Sequence, residues 1–216
     1  MGLWHVFYED WQMECCGSPF SVGDEVSWPL LLRDADDVLG GGWYDQLTKV
    51  SGPVAVGAVP VLSDENGLVV AVGAGEIEGA AEWVRLVGLL TVETHSDGPP
   101  EVRGRVRAVQ LVSQGYAPLT PGSLTREPVP GERRLRSVES CPKWFGDREA
   151  GAMVTLEVPG TDSWLSYAVR EASGLPEDAP PGTETEGIDG VSLAALLETF
   201  STVRRASAPG RGRGPR

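Results

Sequence analysis

The sequence predicts a mainly β protein in which antiparallel strands form a partly open small barrel or two packed sheets, with one C-terminal amphipathic helix. Three observations support this fold class. Apolar side chains alternate with a period of two along most segments. The chain contains 28 Gly and 17 Pro in 216 residues, which fits many turns between short strands. Helical spacing of leucines is clear at residues 192–203, near the C-terminus.

Four segments in the first third of the chain predict strands. LWHVFYE, residues 3–9, is apolar on both faces and predicts a strand buried on both sides. EVSWPLLLR, residues 25–33, contains Pro29, which favours a sheet edge or a bulge. Strands at residues 54–62 and 68–72 are separated by SDENG, whose Asn-Gly pair is typical of a tight turn.

Residues 83–95 and 102–112 predict a hairpin around the turn residues SDGPPE. In the expected register the apolar side chains meet on one face and the charged ones on the other. The expected pairs are Leu86 with Val112, Leu90 with Ala108, Val92 with Val106, Glu93 with Arg105 and His95 with Arg103. A shift of one residue would place arginines among the apolar side chains, so the pattern selects this register.

The remaining segments complete the expected organisation. A second hairpin is predicted between residues 152–158 and 163–169, and residues 115–133, with four Pro and three Gly, predict a long surface loop. We therefore expect a β-rich domain at 1–170, within which residues 1–115 could form the core barrel, followed by an acidic Pro/Gly linker at 171–189. An amphipathic helix is expected at 190–203, and a disordered Arg/Gly tail at 204–216. The apolar face of this helix would consist of Leu193, Leu196, Leu197 and Phe200.

The charge distribution disfavours nucleic acid as a partner of the folded part. The net charge is −13, from 18 basic and 31 acidic residues. Five of the basic residues lie in the tail between Arg204 and Arg216, which leaves 13 basic and 31 acidic residues in the rest of the chain. Such a surface repels phosphates, so nucleic-acid binding is predicted only through the tail.

The chain shows no pattern typical of export or membrane insertion. The start, MGLWHVFYEDWQ, lacks a basic and then apolar leader, and the longest uncharged apolar stretch, residues 52–63, is too short to span a bilayer. Three cysteines are an odd set that does not indicate a secreted disulfide framework. We therefore expect a cytoplasmic protein with no membrane partner.

The stretch WQMECCGSPFSVGDEVSW, residues 11–28, combines turn residues with potential site chemistry. Gly17, Gly23 and Asp24 are predicted to be structural turn residues, because Gly takes positive φ freely and Asp bonds to the backbone two residues on. A Val-Gly-Asp corner of this kind is common in small β-barrels, which makes it a weak indicator of function.

The cysteines allow two interpretations. The first is that Cys15 and Cys16 pack as small buried apolar residues and carry no chemistry. The alternative is a thiol- or zinc-dependent protein in which Cys15, Cys16 and Cys141 act with His5 or His95, or in which the adjacent thiols form a redox-active disulfide. The spacing lacks the Cys-x₂₋₄-Cys knuckle of zinc sites, so no cofactor is predicted.

Function is predicted from what the motifs lack and from the aromatic residues. Neither a Gly-x-Ser-x-Gly elbow nor a His-Glu-x-x-His helix is present, so no catalytic residue is predicted. Trp11, Trp43 and Tyr44 are candidates for an exposed aromatic surface. The leading hypothesis is therefore a non-catalytic interaction module whose partner is another protein.

The block WHVFYEDWQMECCGSPFSVGDEVSW and the later THSDGPPEVRGRVRAVQLV resemble an uncharacterised actinobacterial family, a domain of unknown function. The resemblance covers residues 1 to about 115. It implies a folded bacterial domain, and it implies no activity and no assigned site residues.

Overall fold

The computed structural model describes residues 1–40, 43–73, 83–95, 98–175, 192–193 and 195–197. Within these residues the chain forms mainly strands, with a few short helices. The elements are β1 (Gly2–Glu9), α1 (Asp10–Cys15), β2 (Phe20–Ser21), β3 (Glu25–Arg33), α2 (Ala35–Leu39), β4 (Thr48–Ala55), β5 (Val61–Ser63), β6 (Val69–Val72), β7 (Trp83–Val92), β8 (Glu101–Pro118), β9 (Arg126–Val138), β10 (Ser140–Cys141), β11 (Glu149–Val158) and α3 (Trp164–Ala172).

Eight strands close into a barrel in the order β11-β1-β7-β4-β5-β6-β3-β8, and β8 pairs back with β11. Strand β9 extends the sheet beyond β8, while β10 and β2 form a separate two-stranded sheet. The pairs β1–β7 and β3–β6 are parallel and the other pairs are antiparallel. The mainly β fold is therefore confirmed, but the barrel is closed and mixed instead of partly open and antiparallel.

Strand β1 is buried on both faces, as its sequence predicts. Trp4, Val6 and Tyr8 pack in the largest core cluster, while Phe7 packs in a second cluster with α2. Both neighbours of β1, β11 and β7, belong to the barrel wall. The outward face of β1 is covered by α2 at Phe7 and by α3 at Leu3, which explains why β1 lacks a polar side.

The predicted hairpin between residues 83–95 and 102–112 is wrong in its pairing, because β3 lies between β7 and β8. Residues Leu30–Arg33 of β3 pair with β7, and Glu25–Pro29 pair with β8. The switch falls at Pro29, which has no N–H to donate and whose carbonyl accepts a hydrogen bond from Glu93. The predicted apolar face is inward only in part, since Leu90, Val92 and Val106 pack in the main core. The register of β8 against β11 shifts just after Val106, so Val112 packs in the second cluster, on the outer side with α2.

Two further predictions fail, one of a strand and one of a loop. Residues 163–169 belong to helix α3, where the Ser163 hydroxyl caps the first turn by accepting from the Ser166 N–H. The predicted loop at 115–133 is mostly the hairpin of β8 and β9. Its prolines are tolerated because β9 has β8 as its one neighbour in the sheet.

The Asn-Gly turn is confirmed, since β5 and β6 pair as a hairpin around it. Gly67 has φ +92°, and the Asp64 carboxylate accepts hydrogen bonds from the N–H groups of Asn66 and Ser51. The strand predicted at residues 54–62 is divided, because β4 ends at Ala55 and β5 begins at Val61.

At the C-terminal end, Ser192, Leu193 and residues 195–197 are helical. Leu193 and Leu197 are buried in a cluster with Leu3 and with Leu165 and Val169 of α3. The rest of the predicted helix, the acidic linker from residue 176 and the Arg/Gly tail lie outside the described residues. No helix among the described residues is long and apolar enough to cross a membrane.

Candidate functional site

Helix α1 holds two cysteines at its C-terminal end. The N–H groups of Cys16 and Gly17 bond to the carbonyl of Gln12, at 2.9 and 3.1 Å. The Lys143 ammonium caps the same end, donating to the carbonyls of Met13 at 2.7 Å and Gly17 at 2.9 Å. The helix buries Gln12 and Met13, so the residues that follow, Cys15 and Cys16, are on the surface.

Gly17 leaves no room for a side chain where the chain turns out of α1. A Cβ added there would collide with the side chain of Met13 and would lie 2.8 Å from the Tyr8 hydroxyl oxygen. Gly therefore allows the backbone to pass close to both residues.

Gln12 fixes His95 opposite the two cysteines. Its amide nitrogen donates to the carbonyl of Val92 at 2.7 Å, and its amide oxygen accepts from Thr94 twice, at 3.0 Å each. The side chain is 1% exposed, so these bonds are made in a dry environment where they are costly to lose. The segment that follows β7 is thereby held against α1.

Cys15, Cys16 and His95 form a compact surface group, here called the thiol–imidazole cluster. The two Sγ atoms are 2.6 Å apart, and His95 Nε2 lies 3.7 Å from Cys15 Sγ and 3.5 Å from Cys16 Sγ. All three ligand atoms lie within 4.8 Å of one another, and all three residues are exposed. Soft sulfur and imidazole nitrogen are ligands that zinc and related metals prefer.

The hydrogen-bond network assigns the tautomer of His95. The Thr94 hydroxyl donates to Gln12, so it accepts from the ring atom Nδ1, 3.2 Å away. With the proton on Nδ1, the Nε2 lone pair faces the two sulfurs, as in histidines that bind metals. The indole of Trp11 packs against the imidazole with ring centroids 4.9 Å apart, which further restricts its orientation.

The pKa of the Cys16 thiol is raised. The hydrogen bond with Cys15 is the largest cause, followed by desolvation and by the charge of Cys15, while the Lys143 ammonium acts in the opposite direction. A shared proton between two thiols favours the neutral form of one of them. Metal binding at this cluster must therefore displace protons.

The expectation that Cys15 and Cys16 are buried is wrong, because both lie at the exposed end of a short helix. Cys141 is the cysteine that fits this description, since it is 1% exposed in β10 and burial raises its pKa to about 12. His5 is also buried, within β1, and desolvation lowers its pKa to about 4. The structure thus brings together Cys15, Cys16 and His95, and it places Cys141 and His5 in the core.

The three aromatic candidates are in different environments. Trp11 and Tyr44 are 49% and 75% exposed. Trp43 is 1% exposed and donates from its indole nitrogen to the carbonyl of Leu39, so it cannot contact a partner in this fold. An aromatic contact surface is therefore limited to Trp11 and Tyr44 among these three residues.

The Val-Gly-Asp corner connects β2 to β3. Gly23 has φ +96° and donates its N–H to the carbonyl of Val106 at 2.8 Å. The Asp24 carboxylate accepts from the Ser21 N–H at 2.8 Å, which closes the turn. The corner contributes backbone geometry and is separate from the thiol–imidazole cluster.

Sequence reasoning missed the residues that support the cluster. Gln12 and Thr94 are 82 positions apart, and Lys143 reaches α1 from 130 positions away. The one local signal for Gln12 is that it is a polar residue on the buried side of α1, next to buried Met13. Nothing in the local pattern indicates its partner.

The fold and the site together define a closed, mixed β barrel with an exposed dithiol and imidazole beside a short helix. Residues 2–158 match the profile of a family of unknown function, DUF6578, so the chain belongs to this family. The match confirms the resemblance found in the sequence and extends it beyond residue 115, and it includes the thiol–imidazole cluster. No curated protein and no solved structure matches the chain.

Proposed function

We propose that the protein binds a thiophilic metal ion such as Zn²⁺ through Cys15 Sγ, Cys16 Sγ and His95 Nε2. The observation that carries the proposal is the convergence of these three ligand atoms within 4.8 Å at the surface. The lone pair of Nε2 is directed at the sulfurs by the bond from Nδ1 to Thr94. A three-ligand site of this kind leaves one coordination position open for water or for another molecule.

Metal binding requires a small rearrangement of the two sulfurs. In a tetrahedral zinc site with bonds of about 2.3 Å, two thiolates lie roughly 3.8 Å apart. The sulfurs are 2.6 Å apart here, and rotation of either exposed side chain about its Cα–Cβ bond widens the gap. Two thiolates then neutralise the charge of a divalent ion, and the neutral imidazole completes the protein ligands.

The bound metal competes with protons for the sulfurs. Because the pKa of Cys16 is raised, its thiol is protonated at neutral pH and must release its proton on binding. The affinity for Zn²⁺ is therefore expected to rise with pH across the neutral range.

Calorimetric titration of the freshly reduced protein with Zn²⁺ tests the proposal. One ion is expected to bind per chain, and Cys15→Ser, Cys16→Ser and His95→Asn are each expected to weaken binding at least about tenfold. Cys141→Ala is the matched control, because Cys141 is buried and outside the cluster. Binding that is absent, or that the three site variants leave unchanged, would overturn the proposal.

A second function of the same cluster is favoured by the short distance between the sulfurs. At 2.6 Å, Cys15 and Cys16 need to approach by about 0.6 Å to reach the length of a disulfide bond. With a small-molecule disulfide as oxidant, the two thiols would lose two electrons and two protons, and the oxidant would be released as two thiols. Mass spectrometry after such treatment tests this. The protein is expected to lose the mass of two hydrogens, and bound zinc is expected to prevent this loss.

Binding of another protein through Trp11 and Tyr44, and of nucleic acid through residues 204–216, stay predictions. The exposure of Trp11 and Tyr44 is compatible with the first of these. A salt-sensitive interaction that is lost when residues 204–216 are removed would support the second.

A further inference from the structure

A pocket of about 380 Å³ lies where β1 ends and α1 begins. Residues of α2, of β8 and of the segment that leads into β11 complete its wall. Its volume is in the range that ligands occupy in proteins. Trp11 lines this pocket and also packs against His95, so the pocket is a neighbour of the thiol–imidazole cluster.

Two exposed aromatic rings line the pocket. Trp11 of α1 and Tyr116 of β8 each leave a large part of their surface open to solvent. An exposed ring face attracts a positively charged group, and the attraction strengthens when that group is partly removed from water. These two rings can therefore contact a cation directly, which rings in the core cannot do.

The charge of the pocket is negative. Its wall contains four acidic residues and one basic residue, which are Glu9, Asp10, Asp147, Glu149 and Arg148. Glu9 is paired with Arg33 at 3.3 Å. Glu149 is paired with Arg136 at 3.0 Å. Asp10 and Asp147 form no ion pair with any cation in the part of the chain that the structure describes, so their charge is available to a further cation.

Asp10 lies close to both rings. Its carboxylate accepts a hydrogen bond from the Trp11 N–H at 2.7 Å. The pKa of Tyr116 is raised by desolvation and then by the charge of Asp10, so the phenol and this carboxylate are near each other. Desolvation is also the main cause that raises the pKa of Asp10, and the charges of Glu14 and Glu9 add to it. A cation beside Asp10 offsets these costs.

The chain itself contains a segment of the opposite charge. Residues 204–216 include five Arg and no acidic residue. A guanidinium group is planar, pairs with carboxylates and stacks on aromatic faces, which are the groups that this pocket presents. The fold already contains one such contact, since the Arg133 guanidinium lies 4.8 Å from the ring centroid of Trp43.

The Arg/Gly tail is long enough to reach the pocket. Leu197 packs in one cluster with Leu3 at the start of β1, and the pocket lies at the other end of this strand, beside Asp10. Strand residues advance about 3.3 Å each, so the distance along β1 is roughly 23 Å. Arg211 is 14 positions beyond Leu197, and this length of chain spans up to about 46 Å.

We infer that the Arg/Gly tail, residues 204–216, binds in this pocket of its own chain, where its guanidinium groups pair with Asp10 and stack on Trp11 and Tyr116. The bound tail covers Trp11, the residue that connects the pocket to the thiol–imidazole cluster. This interaction requires no metal and does not depend on the proposed function.

The test compares the full chain with a chain that ends at Val203, both reduced, metal-free and labelled with ¹⁵N. Removal of the tail is expected to shift the backbone amide signals of Asp10, Trp11 and Tyr116. A peptide with the sequence of residues 204–216, added to the shortened protein, should restore these signals in a titration that saturates and that is weakened by salt. The same peptide with its five Arg replaced by Gln should not restore them.

Single substitutions in the shortened protein locate the binding site. Asp10→Asn keeps the oxygen that accepts from Trp11 and removes the charge, and it is expected to weaken peptide binding about two- to fivefold. Tyr116→Leu removes one ring and should have an effect of similar size. Glu139→Gln is the matched control, because it removes one negative charge at an exposed position outside the pocket and should have a smaller effect.

The inference is overturned if removal of the tail leaves the three signals unchanged, as expected of a tail that binds only nucleic acid. It is also overturned if the Gln peptide binds as well as the Arg peptide, or if Asp10→Asn has no larger effect than Glu139→Gln. Signals of the full chain that depend on protein concentration would instead show that the tail binds a second copy. Zinc is absent throughout, so neither result bears on the proposed metal site.

Discussion

The side-chain oxygen of Gln12 accepts two hydrogen bonds from Thr94, one from the backbone N–H and one from the hydroxyl, each 3.0 Å long. Through this contact, helix α1 and the segment carrying His95 behave as one unit although they are 82 positions apart. The thiol–imidazole cluster depends on it, because the same Thr94 hydroxyl accepts from His95 Nδ1.

Replacing Gln12 with Leu is therefore expected to weaken zinc binding more than tenfold. The substitution leaves the Thr94 N–H and the Val92 carbonyl without their hydrogen-bond partner. The Thr94 hydroxyl then no longer donates to Gln12, so it no longer holds the proton of His95 on Nδ1. Zinc titration measures the effect. Gln114→Leu is the control, since Gln114 is also buried and bonded to the backbone but lies outside the cluster. Equal loss of affinity in both variants would contradict the specific role of Gln12.

The native reduced protein is expected to show two reactive thiols and one that reacts only on unfolding. Cys15 and Cys16 are exposed, whereas Cys141 is 1% exposed and burial raises its pKa to about 12. Alkylation with iodoacetamide, counted by mass spectrometry with and without denaturant, measures this. A third native thiol with the same rate, or unreactive Cys15 and Cys16, would contradict the structure.

Lys143 is expected to tune the titration of Cys16. Its ammonium lowers the pKa of Cys16, so removing the charge should raise that pKa and decrease the thiolate fraction at neutral pH. The measurement is the pH dependence of Cys16 alkylation in Cys15→Ala protein, with Lys143→Met compared with Lys143→Arg. The Met variant should show the midpoint at higher pH, and the Arg variant should stay near the parent. Identical profiles would show that the charge of Lys143 does not reach Cys16.

His5 is expected to make the fold sensitive to acid. Burial lowers its pKa from 6.5 to about 4, so below pH 6.5 the unfolded chain binds a proton that the folded chain does not. This contribution to stability is present above pH 6.5 and is lost as the pH falls towards 4, with about 2 kcal/mol gone by pH 5. Urea unfolding of native and His5→Gln protein at pH 7 and pH 5 measures it. Between pH 7 and pH 5 the free energy of unfolding should fall more in the native protein than in the His5→Gln variant. Equal decreases in the two proteins would rule out a buried neutral His5.

Gly151 is expected to be essential to the pairing of β11 with β1. It has φ +138°, and a Cβ there would collide with the carbonyl of Tyr8 and lie 3.0 Å from the N–H nitrogen of Asp10. Gly151→Ala should lower the free energy of unfolding by more than about 2 kcal/mol, since strain and backbone collision add. The comparison is Gly146→Ala, whose Cβ would be 3.5 Å from its nearest neighbour and which should change stability by less than about 0.5 kcal/mol. Similar losses in the two variants would contradict this geometry.

Much of the local structure follows from the sequence, because it depends on neighbours in the chain. Strand β1 and the turn at Gly67 are examples, where apolar periodicity and an Asn-Gly pair determine the outcome. The partner of β7 could not be predicted in this way. Alternation specifies which face of a strand is buried, but it does not specify which strand lies beside it. Leu30 and Leu32 of β3 match the apolar residues of β7 as well as those of β8 do, so the pattern does not distinguish the two partners.

The candidate site was harder to predict than the fold for a related reason. Six residues of α1 are too few for a reliable amphipathic pattern, so the sequence does not show that Cys15 and Cys16 face solvent while Met13 faces the core. The meeting of these cysteines with His95 is set by the closure of the barrel, which brings the end of β7 to α1. Distant contacts of this kind leave no periodic signal in the chain.

X-ray absorption spectroscopy at the zinc edge of the zinc-loaded protein tests the account most directly. Two sulfur ligands at about 2.3 Å and one imidazole nitrogen at about 2.0–2.1 Å are predicted, with one sulfur lost in Cys16→Ser protein. A shell of nitrogen and oxygen ligands alone would contradict the assignment of Cys15 and Cys16 as the metal-binding residues.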